Sequence, residues 1–301
     1  MMANNKAYWE KRMVQLYNAQ DKRDAKFDKK MRKEYYRLES DIQKDIASYY
    51  QKYGKNDIIE FRKLVVQLSD SERNLLFRDY EEFMRRNPKY RNLMPVRESI
   101  YKLNRLEGLQ LSIRMKMMEL GTFEQEGFEK LLQEAYQSGY LSSMKGLVNT
   151  PAFFNVNSEV MMQTINEKWI NGENFSDRIW KNKEKLINTL NNEIRDGIIR
   201  GDSYKKMAQI IQYRTGVGAS NTMALVQTES AFVLNQANKQ AFMDAGVLRY
   251  EVSAVMDKKT SPTCRNMDGQ QFEFKDAKVG VNYSPFHTRC RTTQIPIEND
   301  S

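Results

Sequence analysis

The residues best suited to chemistry in this 301-residue chain are scarce and gathered near its end. Its two cysteines are Cys264 and Cys290, and its single histidine is His287. Two thiolates and an imidazole are favoured zinc ligands, and His287-x-x-Cys290 on a tight turn can point both side chains at one ion. A zinc site normally takes four ligands, so the fourth would come from Asp257, Asp268 or water. A structural ion of this kind can replace a missing core in a small module. Spacing alone leaves two other readings open. The cysteines could be small buried residues, with His287 bonding a turn, or Cys264 and Cys290 could form a disulfide.

Catalytic patterns find less support. Zinc deaminases need His-x-Glu followed by Pro-Cys-x-x-Cys, whereas Thr288 and Arg289 follow His287 and no Cys-x-x-Cys exists. No GxxxxGK[ST] loop is present to cradle a nucleotide phosphate. A cysteine nucleophile beside a histidine base is chemically conceivable, but no oxyanion loop accompanies it. The expectation is a protein that is not an enzyme.

The elements that must position these residues are mostly helices, since only 14 Gly and 6 Pro interrupt the chain. Phe27, Met31, Tyr35, Leu38, Ile42, Ile46 and Tyr49 form one apolar stripe at helical spacing. Trp9, Met13, Leu16 and Tyr17 belong to an earlier helix or to the same one extended. Ser69 and Glu72 make a capping box before Leu75 and Leu76, in a helix that Pro88 stops. A helix after Pro95 carries Ile113, Met117 and Leu120 and is expected to end near Gly121. A further one spans about 124–140.

NTPAFFNVNS at 149–158 reads as a domain boundary. Beyond it, a helix with Ser176 as its N-cap carries Ile179, Leu186, Leu190, Ile194 and Ile198. A short helix ended by Gly216 and Gly218 comes next, then a helix over 219–244 rich in small residues and closed by Gly246. LRYEVSAVM alternates like a strand, with Tyr250 and Val252 on one side. Asp268-Gly269 marks a turn, QFEF a second strand, and RTTQIPI a third that Pro296 places at an edge.

The fold class is therefore α+β and predominantly α-helical. Three segments are expected: an elongated helical domain at 1–150, a helical segment at 151–245 and a small β-rich module at 246–301. The net charge of +9 sits mainly in the first half, where 29 Lys and Arg face 22 Asp and Glu. DNA or an acidic protein surface would suit that half, although the signs are interleaved as on any solvated helix face. The N-terminal MMANNKAYWEKR lacks a signal-peptide core and no apolar run approaches membrane-spanning length, so a soluble, non-secreted protein is expected.

The block from TESAFVLNQANKQAF through SPFHTRCRTTQIPI resembles the phage Mu protein F-like minor head proteins, over roughly residues 215–297 and more loosely back to about 160. The matching positions are Thr228, Glu229, Asn235, Ala241, Gly246, Asp257, Thr260, Ser261, Pro262, Cys264, Asp268, Gly269, His287, Cys290 and Arg291. Two positions depart from the family pattern. Gln227 stands where a basic residue is frequent, and Thr292 stands where a further cysteine often closes the motif. The resemblance implies a minor structural protein of a tailed-phage head, associated with the portal vertex and acting in head morphogenesis, DNA packaging or ejection. It implies portal, scaffold and major capsid proteins as partners, with phage DNA as another. Its place would be the virion interior after assembly in the host cytoplasm. The alternative reading is a zinc-dependent nucleic-acid-binding module or small hydrolase. Glu229 is expected to cap a turn or pair with Arg291.

Overall fold

A computed structural model describes residues 6–55, 58–59, 105–147, 154–257 and 260–297. The capping box at Ser69, the stop at Pro88 and half of the proposed boundary at 149–158 lie outside them. Four long helices dominate: α1 (Lys6–Tyr53), α2 (Arg105–Leu147), α4 (Phe175–Arg200) and α5 (Tyr204–Asp244). A short α3 (Ser158–Ile165) and α6 (Pro262–Met267) complete the described helices. Gly54–Lys55 (β1) pairs antiparallel with Ile58–Ile59 (β2). The second sheet has β3 (Arg249–Ser253) at its centre, flanked by β4 (Gln271–Glu273) and β5 (Thr293–Ile297), all antiparallel.

Several helices run on where sequence signals suggested stops. The two N-terminal apolar runs belong to one 48-residue helix, α1, whose stripe residues from Trp9 to Tyr49 are buried. Gly121 does not end a helix; α2 passes through it and carries both predicted stripes. A Cβ at Gly121 would come within 2.7 Å of the Trp180 ring, so glycine there serves close approach and not termination. Gly216 and Gly218 likewise lie inside α5. The N-cap of α4 is Asn174, not Ser176. Asn174 Oδ1 accepts from Asp177 N at 2.9 Å while Asp177 Oδ2 accepts from Asn174 N at 3.2 Å, a reciprocal box.

The described residues form two compact units, neither of which is one continuous segment. The first comprises Met1–Lys29, Glu126–Arg178 and Thr222–Ser301. The second comprises Lys30–Gln125 and Ile179–Asn221. In the second unit, Lys183 is fully buried and its ammonium meets Glu124 and the Tyr35 hydroxyl. Lys116 pairs with Asp45 at 2.8 Å, and Ser112 donates to the same carboxylate at 2.9 Å.

The first unit holds the sheet. Its core joins Trp9, Met13, Leu16 and Tyr17 of α1 to Ala231, Leu234 and Phe242 of α5 and to Tyr250, Val252, Phe274, Tyr283 and Ile295. Trp9 meets Phe242 edge-on at 5.4 Å, and Tyr250 lies 4.9 Å from Phe274. The start of α1 is thus part of the β-rich module's core. Small residues on α5 allow near contact with α2: a Cβ at Gly139 would meet Ala237 and Leu234 at 3.1 Å. Gly246 at φ +79 closes α5, where Val247 N donates to Phe242 O at 2.9 Å. Pro296 sits on β5, an edge strand, as its missing N–H requires.

The two glycines inside α5 should respond oppositely to alanine. A Cβ at Gly218 would meet Leu186 at 2.7 Å and Tyr35 at 2.9 Å, whereas one at Gly216 meets nothing within 4 Å. Gly218→Ala is expected to cost about 1–3 kcal/mol, and Gly216→Ala to add up to about 1 kcal/mol. Urea midpoints of the two variants give the comparison.

Candidate functional site

Ser261 and Pro262 explain why Cys264 sits where it does. Ser261 caps α6, its hydroxyl accepting from Cys264 N at 3.2 Å, with Pro262 in the first turn. Cys264 becomes a buried residue on a six-residue helix. His287 and Cys290 arrive on the turn before β5, where Cys290 N donates to His287 O at 3.2 Å. Arg289 in that turn has φ 60, an uncommon conformation for a side chain with a Cβ. Its amide donates to Thr228 Oγ1 of α5 at 3.1 Å, and the same hydroxyl donates to Ala224 O at 2.7 Å. Thr228 is therefore the strut that holds the turn against the helix.

The result is a compact group. Cys264 Sγ lies 3.1 Å from His287 Nε2 and 3.6 Å from Cys290 Sγ, and all three donor atoms fall within 4.8 Å of one another. His287 Nδ1 is 2.8 Å from Thr288 O, which suits a proton on Nδ1 and leaves Nε2 free to bind. The Cys264 thiol is pulled down to about 5, chiefly by a hydrogen bond from Cys290, with Ser261, Thr292 and His287 adding against burial. Cys290 moves the other way, because Cys264 and burial both favour its protonated form. Two free thiols and an imidazole at these distances have the composition and reach of a soft-metal site.

The carboxylates considered for the same ion are differently engaged. Asp257 Oδ2 is 3.5 Å from Arg291 Nη1, and its other oxygen faces Thr260 at 3.3 Å. Asp268 is a turn residue: its Oδ1 accepts from Ala254 N at 2.8 Å, beside Gly269 at φ +77. Among the described residues the metal-capable group is the two cysteines and the histidine. Glu229 pairs with Arg178, not with Arg291, and accepts from Trp169 Nε1 at 2.9 Å. Burial raises its pKa, against those two donors. Arg291 instead bridges Asp257 and Asp21, the latter at 3.6 Å.

One buried amide ties these parts together. Asn235 is wholly buried, and its Nδ2 donates to Tyr17 OH at 2.8 Å, Ser284 Oγ at 2.7 Å and Thr292 O at 3.3 Å. Its Oδ1 accepts from Thr293 Oγ1 at 3.1 Å, and its main-chain oxygen accepts from Tyr283 OH at 2.7 Å. Tyr17 OH in turn donates to Thr292 O at 3.1 Å.

A cleft of about 770 Å³ opens beside this cage, bounded by α1, α5 and the two segments bearing the cysteines. Cys264, His287 and Cys290 line it together with Gln20, Asp21 and Asp24 of α1. Asp24 was not anticipated. It is 3% exposed, with Oδ1 accepting from Gln20 at 2.7 Å and Ser230 at 2.9 Å. Burial pushes its pKa up to about 7, although both hydrogen bonds oppose the shift. A signal for it existed: Tyr17, Gln20, Asp24, Phe27 and Met31 keep the helical spacing of the α1 stripe, so the two polar residues occupy core positions.

Residues 188–295 match the family model described as phage Mu protein F like protein. Over this stretch the chain is similar to that family. The matched region covers about a third of the chain and contains Asn235 with its Ser284, Thr292 and Thr293 partners, the cysteines and the histidine. It starts earlier than the 215 read from motifs and later than the looser limit of 160. A curated relative is the NAD(+)–arginine ADP-ribosyltransferase EFV of Enterococcus faecalis (strain ATCC 700802 / V583). It is 22% identical over 156 residues, covering 46% of this chain and 32% of the relative. The chain thus spans about a third of the length of that curated relative. No solved structure matches the chain. Among the described residues no helix is long and apolar enough to cross a membrane.

Two outcomes follow from this geometry. Asn235→Ala leaves the Tyr17, Ser284 and Thr293 hydroxyls short of a buried partner and should lose about 2–4 kcal/mol in urea unfolding. The folded state holds the Asp24 proton up to about pH 7, whereas the ordinary carboxyl value is 3.8. Stability contributed by that proton is full below about 4 and is lost as pH rises through 7. Relative to Asp24→Asn, the unaltered chain should therefore become less stable between pH 5 and pH 8, by an amount on the order of 2 kcal/mol.

Proposed function

We propose that this protein is a minor structural component of a tailed-phage head and not an enzyme. The observation that carries the reading is the match of residues 188–295 to the phage Mu protein F like family, which supports a role in phage head morphogenesis. The structure gives that block physical content. Thr228, Asn235, Gly246, Asp268 and Gly269 each serve to close a turn or join α5 to the sheet module. Residues used this way build a rigid unit, which suits an assembly component.

The finer reading places the protein at the portal vertex, inside the head, with the portal protein, scaffold and major capsid protein as neighbours. It acts there in head morphogenesis, DNA packaging or ejection, and is built in the host cytoplasm. The basic first half of the chain, with its excess of Lys and Arg, suits contact with packaged DNA. The curated transferase match does not alter this reading, because only about a third of that enzyme is represented.

Within this reading Cys264, His287 and Cys290 hold a structural zinc ion that clamps α6 to the turn before β5. The donor set supports it, since soft thiolates and an imidazole within 4.8 Å suit zinc. Purified protein is expected to carry one equivalent of zinc and to lose it on Cys264→Ser or Cys290→Ser. Protein mass spectrometry of purified proheads and virions should find the chain in a few copies. Its absence from both particles would sink the structural reading, and zinc-dependent turnover or salt-sensitive DNA binding in the isolated protein would favour the hydrolase or nucleic-acid module instead.

A further inference from the structure

The cleft beside the cysteines has properties that holding the fold together does not require. All three metal-capable residues line it, so an ion held by them faces open space on that side. Zinc-type ions take four ligands. Closed structural sites draw all four from protein, while sites with three keep one position for an outside group. Among the described residues no fourth cysteine, histidine or carboxylate joins the group. Of the cleft's carboxylates, Asp21 and Asp257 face Arg291 at 3.6 Å and 3.5 Å.

Asp24 provides an independent observation. Its two hydrogen bonds both end on Oδ1. The side chain is almost fully buried and lines the cleft. At about 770 Å³ the space matches the several hundred cubic ångströms typical of small-ligand sites. Gln227, Thr260 and Thr288 supply further polar lining.

We propose that the cleft is a ligand site in which a small imidazole- or amide-type molecule gives a lone pair to the ion on Cys264, His287 and Cys290 and hydrogen-bonds Asp24 Oδ2. The proposal rests on the metal reading above and makes the site an exchangeable one, with a position that turns over, where a closed clamp would be inert. Ligand binding forms one metal–nitrogen or metal–oxygen bond and displaces one water, with no redox change.

The test uses the full chain loaded with Co²⁺, whose visible bands report the number and type of ligands. Azide and imidazole serve as probes: azide can satisfy only the metal, while imidazole offers a nitrogen to the metal and an N–H to a carboxylate. Both are expected to shift the cobalt bands saturably. At pH 8, where Asp24 is ionised, Asp24→Asn should weaken imidazole about tenfold, the loss of a charge-assisted hydrogen bond, while azide affinity stays within about twofold. Asp24→Ser gives the same contrast should the Asn variant fail to load cobalt. Bands that neither probe moves mean a closed site; they overturn the proposal and leave the metal reading standing. Failure of the unaltered chain to bind cobalt or zinc at all removes the metal reading, and this proposal with it. Equal weakening of both probes by the Asp24 variants, or none, overturns the role given to Asp24.

Discussion

Asn235 lies in the last third of α5 with no exposure to water, and a buried carboxamide has two donors and an acceptor to place. In this protein each of them is used to join a different segment. Tyr17 comes from the first helix, Ser284 from the segment before the histidine, and Thr292 and Thr293 from the entry to the last strand and its first residue. In a low-dielectric interior such a network is favourable when complete and costly when broken, so it selects one arrangement of the segments. The position of the cysteines is a consequence. Cys290 immediately precedes the bonded Thr292 region, and Thr228, two turns before Asn235, fixes the intervening turn through Arg289.

This arrangement separates two kinds of stabilisation within one unit. Aromatic and aliphatic burial around Trp9, Phe242, Tyr250 and Phe274 supplies the bulk driving force, which is non-directional. The polar layer of Asn235, Tyr17, Ser284 and Gln294, where Gln294 Nε2 donates to Ser284 Oγ at 3.0 Å, supplies registration. The cleft opens beside that layer, with Tyr17 and Thr292 in its lining, where polar residues of α1 replace apolar ones. Gln20 and Asp24 are tolerated at core positions because Ser230 and Gln20 itself satisfy one oxygen of the carboxylate. A ligand-accepting site and a folding core thus share one helix face.

Acid–base properties follow the same geometry. Between the adjacent sulfurs, Cys264 is pulled toward the thiolate while burial and Cys264 favour the protonated form of Cys290. Asp24, in contrast, is governed by burial, and its proton is held into the neutral range. The cleft therefore contains one group that ionises early and one that ionises late.

Much of the local structure was legible in the residues. The α1 stripe, the strand at Tyr250 and Val252, the turn at Asp268-Gly269, the Gly246 stop and the edge position of Pro296 all follow from side-chain period, positive φ or a missing N–H, which are properties of a few neighbouring residues. So does the Cys264, His287, Cys290 set, through its rarity and through the motif it closes. Helix ends were less legible, because Gly121 and Gly218 carry the same letter as a stop while their role is to admit Trp180 and Leu186. Long-range partners were not legible at all. Glu229 bonds Arg178 instead of Arg291, and Trp9 joins the core of a module more than two hundred residues away, because these pairings depend on which helix faces meet. The sequence by itself determined the helices, the sheet and the metal-capable side chains, since local backbone and packing preferences suffice for those. Only the tertiary structure decided that Asp24 shares a cleft with them, because burial and proximity are set by the whole chain and not by any stretch of it.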